Sequence, residues 1–293
     1  MNKKKNINFL GIRKYTIIAS FFISIISITS IFYCKLNFGL EFTGGTLIHL
    51  SLDKPEKAKI IKEKLRQNKI LNADIKFSNQ NENEITVRIP NANRNQLSNL
   101  KKTIHEIFEN NVTIKKIEFI GSEVGNELIE KSIIAVIISV LSTIVYISLR
   151  FEIKFAVSAA ISLIYVIFFI LGILSFFQIQ FNLTTLASLL AVMGYSLNDT
   201  IVVFDRIREN LDKLKNTSLS IVNLINISIN QTLSRTLLTS FFTMLVILSL
   251  MFKGGENLYS FSIVFFLGIL IGTYSSIYVA SSFAIYLGIK VKK

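Results

Sequence analysis

The chain has 293 residues, of which 51% are hydrophobic and only 17% are charged, and its mean hydropathy is +0.52. This composition excludes an ordinary soluble protein of that length. The net charge of +13 would suit nucleic-acid binding in a soluble domain, but much of the lysine and arginine lies beside apolar runs, which indicates membrane topology and no nucleic-acid partner.

Six apolar segments are long enough to cross a membrane, whose hydrocarbon core requires about 20 residues of helix. In chain order they cover residues 15–34, 131–150, 155–177, 183–204, 232–252 and 258–288. Lysine and arginine are concentrated before the first span, between the second and third, after the fourth and after the sixth. With six spans these regions all lie on one side of the membrane, and the positive-inside rule makes that side cytoplasmic. We therefore predict cytoplasmic termini at residues 1–14 and 289–293. The first segment is expected to be an uncleaved anchor, because no small-x-small cleavage site precedes Lys35.

The segment 35–130, between the first and second spans, is long enough to form a folded domain. Residues 46–52 and 84–89 alternate like strands, 74–77 and 112–119 have strand character, and 55–69 and 93–110 have helical periodicity. The order β-α-β-β-α-β predicts an α+β ferredoxin-like domain, with a four-stranded antiparallel sheet and two helices on one face. Loops beyond about 60 residues cross the membrane largely regardless of charge, so we expect this domain outside the cytoplasm.

The residues that most often bind metals or cofactors are sparse in this sequence. Cys34 has no cysteine with which to form an intramolecular disulfide, and His49 and His105 lack metal-ligand spacing. The pair Gly44–Gly45 is too short for a phosphate-binding loop and is expected to form a tight turn where the chain leaves the membrane. We therefore predict no metal, no cofactor and no enzymatic activity.

A carboxylate inside the fourth span is the strongest functional clue. An aspartate at the centre of a membrane helix costs roughly 2.5–3.5 kcal/mol, so Asp199 is expected to face the bundle interior, where such groups often relay ions or protons. The alternative is an interfacial carboxylate without such a role, because a charged cluster begins at Asp205. The segment 205–231 mixes aliphatic and charged residues and is predicted to be an amphipathic helix on the cytoplasmic surface.

The fifth and sixth spans carry two further patterns. Arg235 stands near the cytoplasmic start of the fifth span, where it either takes part in function or simply snorkels to the interface. Hydroxyl side chains could line a hydrated path or join helices by hydrogen bonds; the candidates are Ser196, Thr236, Thr239 and Thr243. Small residues recur at every fourth position of the sixth span and predict close helix packing; they are Gly268, Gly272, Ser276 and Ala280.

Longer motifs connect the chain to a known family. They read GLEFTGGTLIHL at 39–50, IGSEVGNEL at 120–128, GYSLNDTIVVFDRIREN at 194–210, QTLSRTLLTS at 231–240 and GILIGTYSSIYVAS at 268–281. Over nearly its whole length the chain resembles the SecF group of the SecD/SecF family of bacterial protein-export proteins. The shared motif residues are Gly39, Glu41, Gly44, Gly45, Gly194, Asn198, Asp205, Arg206 and Arg208. Glu41 stands where the family commonly has Asp, and Ser122 where Pro is common.

The resemblance implies a place in the resistance-nodulation-division superfamily, with proton-relay duty for Asp199 and a partnering role for Arg235. It further implies an inner-membrane subunit that joins SecD and uses the proton-motive force to promote export of unfolded polypeptides through the SecYEG channel. Two alternatives stay open. One is a structural subunit that stabilises SecD or the channel, and the other is a small-solute exporter half of the same superfamily.

Overall fold

The structure is a computed structural model that describes residues 7–53, 58–68, 70, 73–77, 83–89, 97–108, 112–213 and 219–289. Within those residues six helical runs are long and apolar enough to cross a membrane, in agreement with the predicted polytopic membrane protein. They are α1 (Arg13–Cys34), α5 (Ser122–Arg150), α6 (Ile153–Phe176), α7 (Leu183–Lys213), α8 (Ile221–Lys253) and a last run of three parts. The last run consists of α9 (Gly255–Tyr274), a π-helical turn (Ser275–Ala280) and α10 (Ser281–Tyr286).

The centre of the bundle is formed by α6, α7 and the last run, which are its most buried helices. The helices α1, α5 and α8 surround them and expose most of their apolar side chains. Such exposure is expected of helices that face lipid or a second membrane subunit, because lipid tails are as apolar as leucine.

The structure corrects the sequence prediction for segment 205–231. α7 continues to Lys213, and α8 already begins at Ile221, where the Ser220 side chain caps it by accepting a hydrogen bond from the Asn223 amide. The predicted surface helix is therefore, in its described part, the ends of two spanning helices; residues 214–218 lie outside the described residues. The apolar stripe that suggested a surface helix packs against the bundle instead, since Leu211 and Leu224 are buried in the same cluster.

The chain before α1 runs along the extended start of α8. The Asn226 side chain accepts a hydrogen bond from the Phe9 amide at 2.8 Å, and Asn230 both accepts from and donates to the main chain of Ile7. Leu10, which begins a short 3-10 turn before α1, is buried in the same cluster as Leu224. These contacts explain why α8 extends beyond its apolar span.

The α+β unit contains β1 (Gly45–Leu52), α3 (Ala58–Gln67), β2 (Asp74–Phe77), β3 (Glu84–Ile89), α4 (Leu97–Ile107) and β4 (Val112–Ile120). The strands form an antiparallel sheet in the order β2-β3-β1-β4, in which Ile48 is opposite both Val87 and Ile117. One sheet face is covered by α3 and α4, because Ile61 and Ile104 are fully buried in the same cluster as Ile48. Residues 55–57, 69, 93–96 and 109–110 of the predicted helices lie outside the described residues.

A short connection fixes this unit to the bundle. It contains α2 (Leu40–Thr43), and the Gly39 amide donates a hydrogen bond to the Phe181 carbonyl at 2.7 Å. The Phe42 ring stacks on Phe181, in the turn between α6 and α7, with 5.6 Å between ring centroids. From the sheet, Arg88 donates a hydrogen bond to the Phe38 carbonyl at 3.0 Å. The start of α7 therefore lies at the end of the bundle that carries the α+β unit.

Gly44 and Gly45 form the bend between α2 and β1. Gly44 has φ 68° and ψ 173°, and Gly45 has φ 122°, backbone conformations in the positive-φ region that side chains disfavour. The sequence prediction of a tight turn at the glycine pair agrees with these angles.

We expect Gly44→Ala to destabilise the folded chain by about 1–3 kcal/mol, because that backbone conformation is nearly restricted to glycine. Gly121→Ala is the matched control, since Gly121 has φ −66° and a Cβ there meets no atom within 4 Å. The measurement is the apparent melting temperature of the full chain in detergent. Equal melting temperatures for the two variants would contradict the prediction.

Candidate functional site

The structure places Asp199 inside the bundle, with only 2% of the residue exposed. It lies in the middle of α7, next to α8 and α9, which are among the main neighbours of α7. Its Oδ2 atom accepts a hydrogen bond from the Thr273 hydroxyl of α9 at 3.3 Å. Asp199 is therefore a carboxylate buried between helices of the bundle.

Further hydroxyl groups continue from Thr273. The Ser240 hydroxyl of α8 lies 3.0 Å from the Thr273 hydroxyl, and the Tyr195 hydroxyl of α7 donates to Ser240 at 3.2 Å. The edge of the Tyr195 ring meets Phe265 of α9, with 6.1 Å between centroids. One side chain from α8, one from α9 and two from α7 thus form a connected polar cluster.

Arg235 lies on the exposed side of α8. Within the described residues no ion pair joins Arg235 to Asp199 at 4.0 Å or less. The hydrogen bonds Tyr195–Ser240 and Asn210–Ser228 fix the antiparallel register of α7 and α8. That register places Arg235 within about one helical turn of the level of Asp199.

The four residues of the predicted polar path differ in their burial. Ser196 and Thr236 are buried, whereas Thr239 is exposed and Thr243 is half-buried. The Thr239 hydroxyl donates to the Arg235 carbonyl at 3.0 Å, and the Thr243 hydroxyl donates to the Thr239 carbonyl at 2.8 Å. Both of these hydroxyl groups therefore bind carbonyls of their own helix.

Thr273, which donates the hydrogen bond to Asp199, is not among the residues singled out from the sequence. It stands between Gly272 and Tyr274, beside the small residues that predict helix packing. A polar side chain next to a ridge of small residues is a usable signal, because such a ridge brings its neighbours close to the opposite helix.

The predicted small-residue ridge packs against α7. A Cβ at Gly268 would clash with the Val192 side chain, and a Cβ at Gly272 would lie 3.1 Å from the Cβ of Ser196. Ser276 is buried and donates to the Thr273 carbonyl at 3.0 Å, and Ala280 is fully buried. The ridge therefore holds α9 close enough to α7 for Thr273 to reach Asp199.

The charged motif after Asp199 ties together the ends of three helices. Asp205 makes an ion pair with Arg150, at the end of α5, at 3.1 Å, and with Arg208 at 3.4 Å. Arg206 donates to Gln231 of α8 at 2.6 Å, and Asn210 donates to the same oxygen at 2.8 Å. These contacts hold α5, α7 and α8 together at the end of the bundle away from the α+β unit.

The remaining family-motif residues lie on α7 and in the connection around α2. Gly194 and Asn198 lie on an exposed side of α7, and Glu41 is half-buried in α2. Gly39, before α2, has little room for a side chain, because a Cβ there would lie 2.9 Å from the Cβ and 3.2 Å from the Cα of Asn182. Among the described residues, no group of three or more His, Cys, Asp or Glu side chains is arranged to hold a metal ion.

Sequence comparisons cover almost the whole chain. Residues 99–290 match the family model described as "Protein export membrane protein SecD/SecF, C-terminal", and residues 35–56 match the "SecD/SecF GG Motif". "Protein translocase subunit SecF" of Pseudomonas aeruginosa is 39% identical over 284 residues, which cover 97% of this chain and 92% of the relative. The protein of the same name from Calditerrivibrio nitroreducens is 40% identical over 282 residues, with coverages of 94% and 92%.

Two solved structures of SecDF are also similar to this chain. The crystal structure of SecDF from Thermus thermophilus, described as a translocon-associated membrane protein, matches with a TM-score of 0.87 and 31% identity over 98% of this chain. SecDF in a "super-membrane-facing form" matches with a TM-score of 0.72 and 31% identity over 97% of this chain. Since the match covers 39% of each solved chain, this chain spans about two fifths of their length.

We expect Gly268→Ala to destabilise the bundle by about 1–3 kcal/mol, the usual range for overpacking a tight contact. Gly194→Ala is the matched control, because both glycines are inside helices and gain the same helix propensity, but a Cβ at Gly194 meets no atom within 4 Å. Thermal unfolding in detergent measures the difference. Val192→Ala should restore part of the loss when it is combined with Gly268→Ala; no recovery would show that the clash lies elsewhere.

Proposed function

This chain belongs to the SecD/SecF family of protein-export membrane proteins, and from that premise we propose that it couples proton movement at Asp199 to polypeptide export. Its relatives are protein translocase subunits, so it is a transport component of the Sec pathway and a multi-pass membrane protein. The proposed energy source is the proton-motive force, and the proposed cargo is unfolded polypeptide delivered by the SecYEG channel.

The burial of Asp199 is the observation that carries this proposal. A carboxylate inside a membrane bundle is costly to keep, and such groups mark ion or proton paths by default. Its hydrogen-bond donor is the Thr273 hydroxyl, and the register of α7 and α8 places Arg235 within about one helical turn of its level. A helix movement that changes the distance to Arg235 would therefore change whether the carboxylate holds a proton. Arg235 is assigned the partnering role on this ground.

The exposed face of α8 supports a partner subunit, for which we propose SecD. Arg235 and Thr239 share that face with Leu238 and Phe242, which are 57% and 62% exposed. A charged side chain on a lipid-facing helix is rare, and such groups almost always face the interior of a bundle or a water-filled cavity. A second membrane subunit that covers this face would provide that environment.

The proposed topology follows the positive charges. Arg150, Arg206 and Arg208 lie at the end of the bundle away from the α+β unit, and the positive-inside rule assigns that end to the cytoplasm. We therefore assign both termini to the cytoplasm and the α+β unit to the periplasmic side of a bacterial inner membrane. We classify that unit as ferredoxin-like, on the basis of its βαββαβ order and its sheet order.

We expect Asp199→Asn to abolish the part of precursor export that depends on the proton gradient, because an amide cannot bind and release the proton. Export is measured in inner-membrane vesicles with and without a collapsed gradient, at wild-type protein abundance and with SecD still co-purifying. Asp212→Asn is the matched control, since it makes the same chemical change at an exposed position of α7.

The results separate the three functions. Gradient-dependent export that persists in Asp199→Asn would leave a structural subunit as the better description. Normal precursor export after deletion of the subunit would instead favour an exporter of small solutes.

A further inference from the structure

Three hydroxyl groups from three helices form a continuous hydrogen-bonded chain that ends on Asp199. Tyr195 of α7 donates to Ser240 of α8 at 3.2 Å, Ser240 lies 3.0 Å from Thr273 of α9, and Thr273 donates to the Asp199 carboxylate at 3.3 Å. We propose that this chain, called here the hydroxyl chain, is the path by which protons reach Asp199. The inference rests on the proposed function, because it supplies the route to the proton site.

The hydrogen bonds of the hydroxyl chain all point toward Asp199. A hydroxyl group has one proton to donate and lone pairs with which to accept. Because Thr273 donates its proton to the carboxylate, it must accept from Ser240. Ser240 then has no proton left for Tyr195 and accepts from it. Donation therefore runs in one direction from Tyr195 to the carboxylate.

The hydroxyl chain reaches Asp199 from the end of the bundle that carries the α+β unit. Tyr195 precedes Asp199 by four residues, about 6 Å along the axis of α7, on the side of Leu183. Ser240 follows Arg235 in the antiparallel helix α8, so it is displaced in the same direction. Tyr195 is only partly buried, whereas Ser240 is buried, so the proposed path begins at the Tyr195 hydroxyl group. Arg235 lies outside the hydroxyl chain, on the exposed face of α8.

One transfer requires no other co-reactant than a hydrated proton. The Tyr195 oxygen receives a proton from hydronium while its own hydroxyl proton passes to the Ser240 oxygen. The Ser240 proton passes to Thr273, and the Thr273 proton passes to Oδ2 of Asp199. One hydronium becomes water and one carboxylate becomes a carboxylic acid, and each hydroxyl group then rotates back to its first orientation.

Several other hydroxyl groups in the bundle donate to main-chain carbonyls and not to further hydroxyl groups. Thr200 donates to the Ser196 carbonyl, Thr232 to the Ser228 carbonyl, and Ser275 to the Gly272 carbonyl. A proton donated to a main-chain carbonyl of the same helix is not passed on, so these groups cannot continue a path. Hydroxyl groups bound to one another across helices are the less common arrangement, since side chain to side chain bonds are only about 10–15% of protein hydrogen bonds.

The rival explanation is that the hydroxyl chain only joins three helices by hydrogen bonds. The two explanations differ in what removal of a hydroxyl group does. A broken path lowers gradient-dependent export in an assembled, normally abundant complex. Loss of a structural bond lowers the abundance or the thermal stability of the complex, and it lowers export with and without the gradient alike.

The test uses Tyr195→Phe, Ser240→Ala and Thr273→Val in vesicles that contain the full chain and SecD. We expect each to lower the gradient-dependent export rate by about tenfold or more, as loss of a positioned proton donor does, at unchanged abundance and melting temperature. Thr273→Ser keeps the hydroxyl group and should restore the rate. Thr232→Val and Ser275→Ala are matched controls, because they remove buried hydroxyl groups that bind carbonyls of their own helix.

Asp199→Asn is measured in parallel, so that the two proposals fail separately. If Asp199→Asn loses gradient-dependent export while Tyr195→Phe and Thr273→Val keep it, the hydroxyl chain is not the path and the proposed function stands. If Asp199→Asn keeps gradient-dependent export, the proposed function fails and the path fails with it. A Thr273→Ser variant as impaired as Thr273→Val would also overturn the proposal, because the hydroxyl group would not be what matters.

Discussion

The close approach of α9 to α7 is the constraint on which the site depends. Gly268 packs against Val192 and Gly272 against Ser196, without space for a larger side chain between them. Within a membrane there is no hydrophobic force to bring helices together, so contact between small residues is what allows backbones to approach. Because the two helices run in the same direction, the contact continues to the next turn, where the short side chain of Thr273 reaches Asp199. A wider separation would remove the hydrogen bond that this carboxylate accepts.

The same turn of the last helical run also touches α1. Thr273 faces Asp199, while the adjacent Tyr274 hydroxyl lies 3.0 Å from Ser20 and donates to the Thr16 carbonyl at 3.2 Å. A π-helical turn begins directly afterwards, and such turns occur often at functional sites. Since α1 leads through the connection before β1 to the sheet, packing is continuous from the buried carboxylate to the α+β unit. Continuous packing of this kind is one physical route by which two distant sites can be coupled.

Much of the architecture was predictable, because apolar length specifies a span and alternation specifies a strand. The ends of α7 and α8 could not be predicted, because the same amphipathic pattern fits a helix on the membrane surface and a helix packed on its neighbours. Leu211 and Leu224 are packed inside the bundle. At the site, Asp199 was evident from the sequence as a carboxylate in an apolar span. Thr273 was not, because the register between α7 and α9 depends on tertiary packing. The spacing of the threonines on α8 predicted that they lie on one side of the helix. It did not predict whether Thr239 is buried in the bundle or exposed on its surface.

The surroundings of Asp199 and Arg235 differ in a way that bears on the proposed coupling. The hydroxyl chain lies between helices of this chain, whereas Arg235 lies on the exposed face of α8 beside Leu238 and Phe242. The polar contacts of Asp199 are therefore set within one subunit, but the environment of Arg235 is set by whatever covers α8. In the proposed mechanism, a second subunit that moves against α8 would move Arg235 relative to the Asp199 carboxylate. The close contact of α7 with α9 would keep the Thr273 hydrogen bond in place.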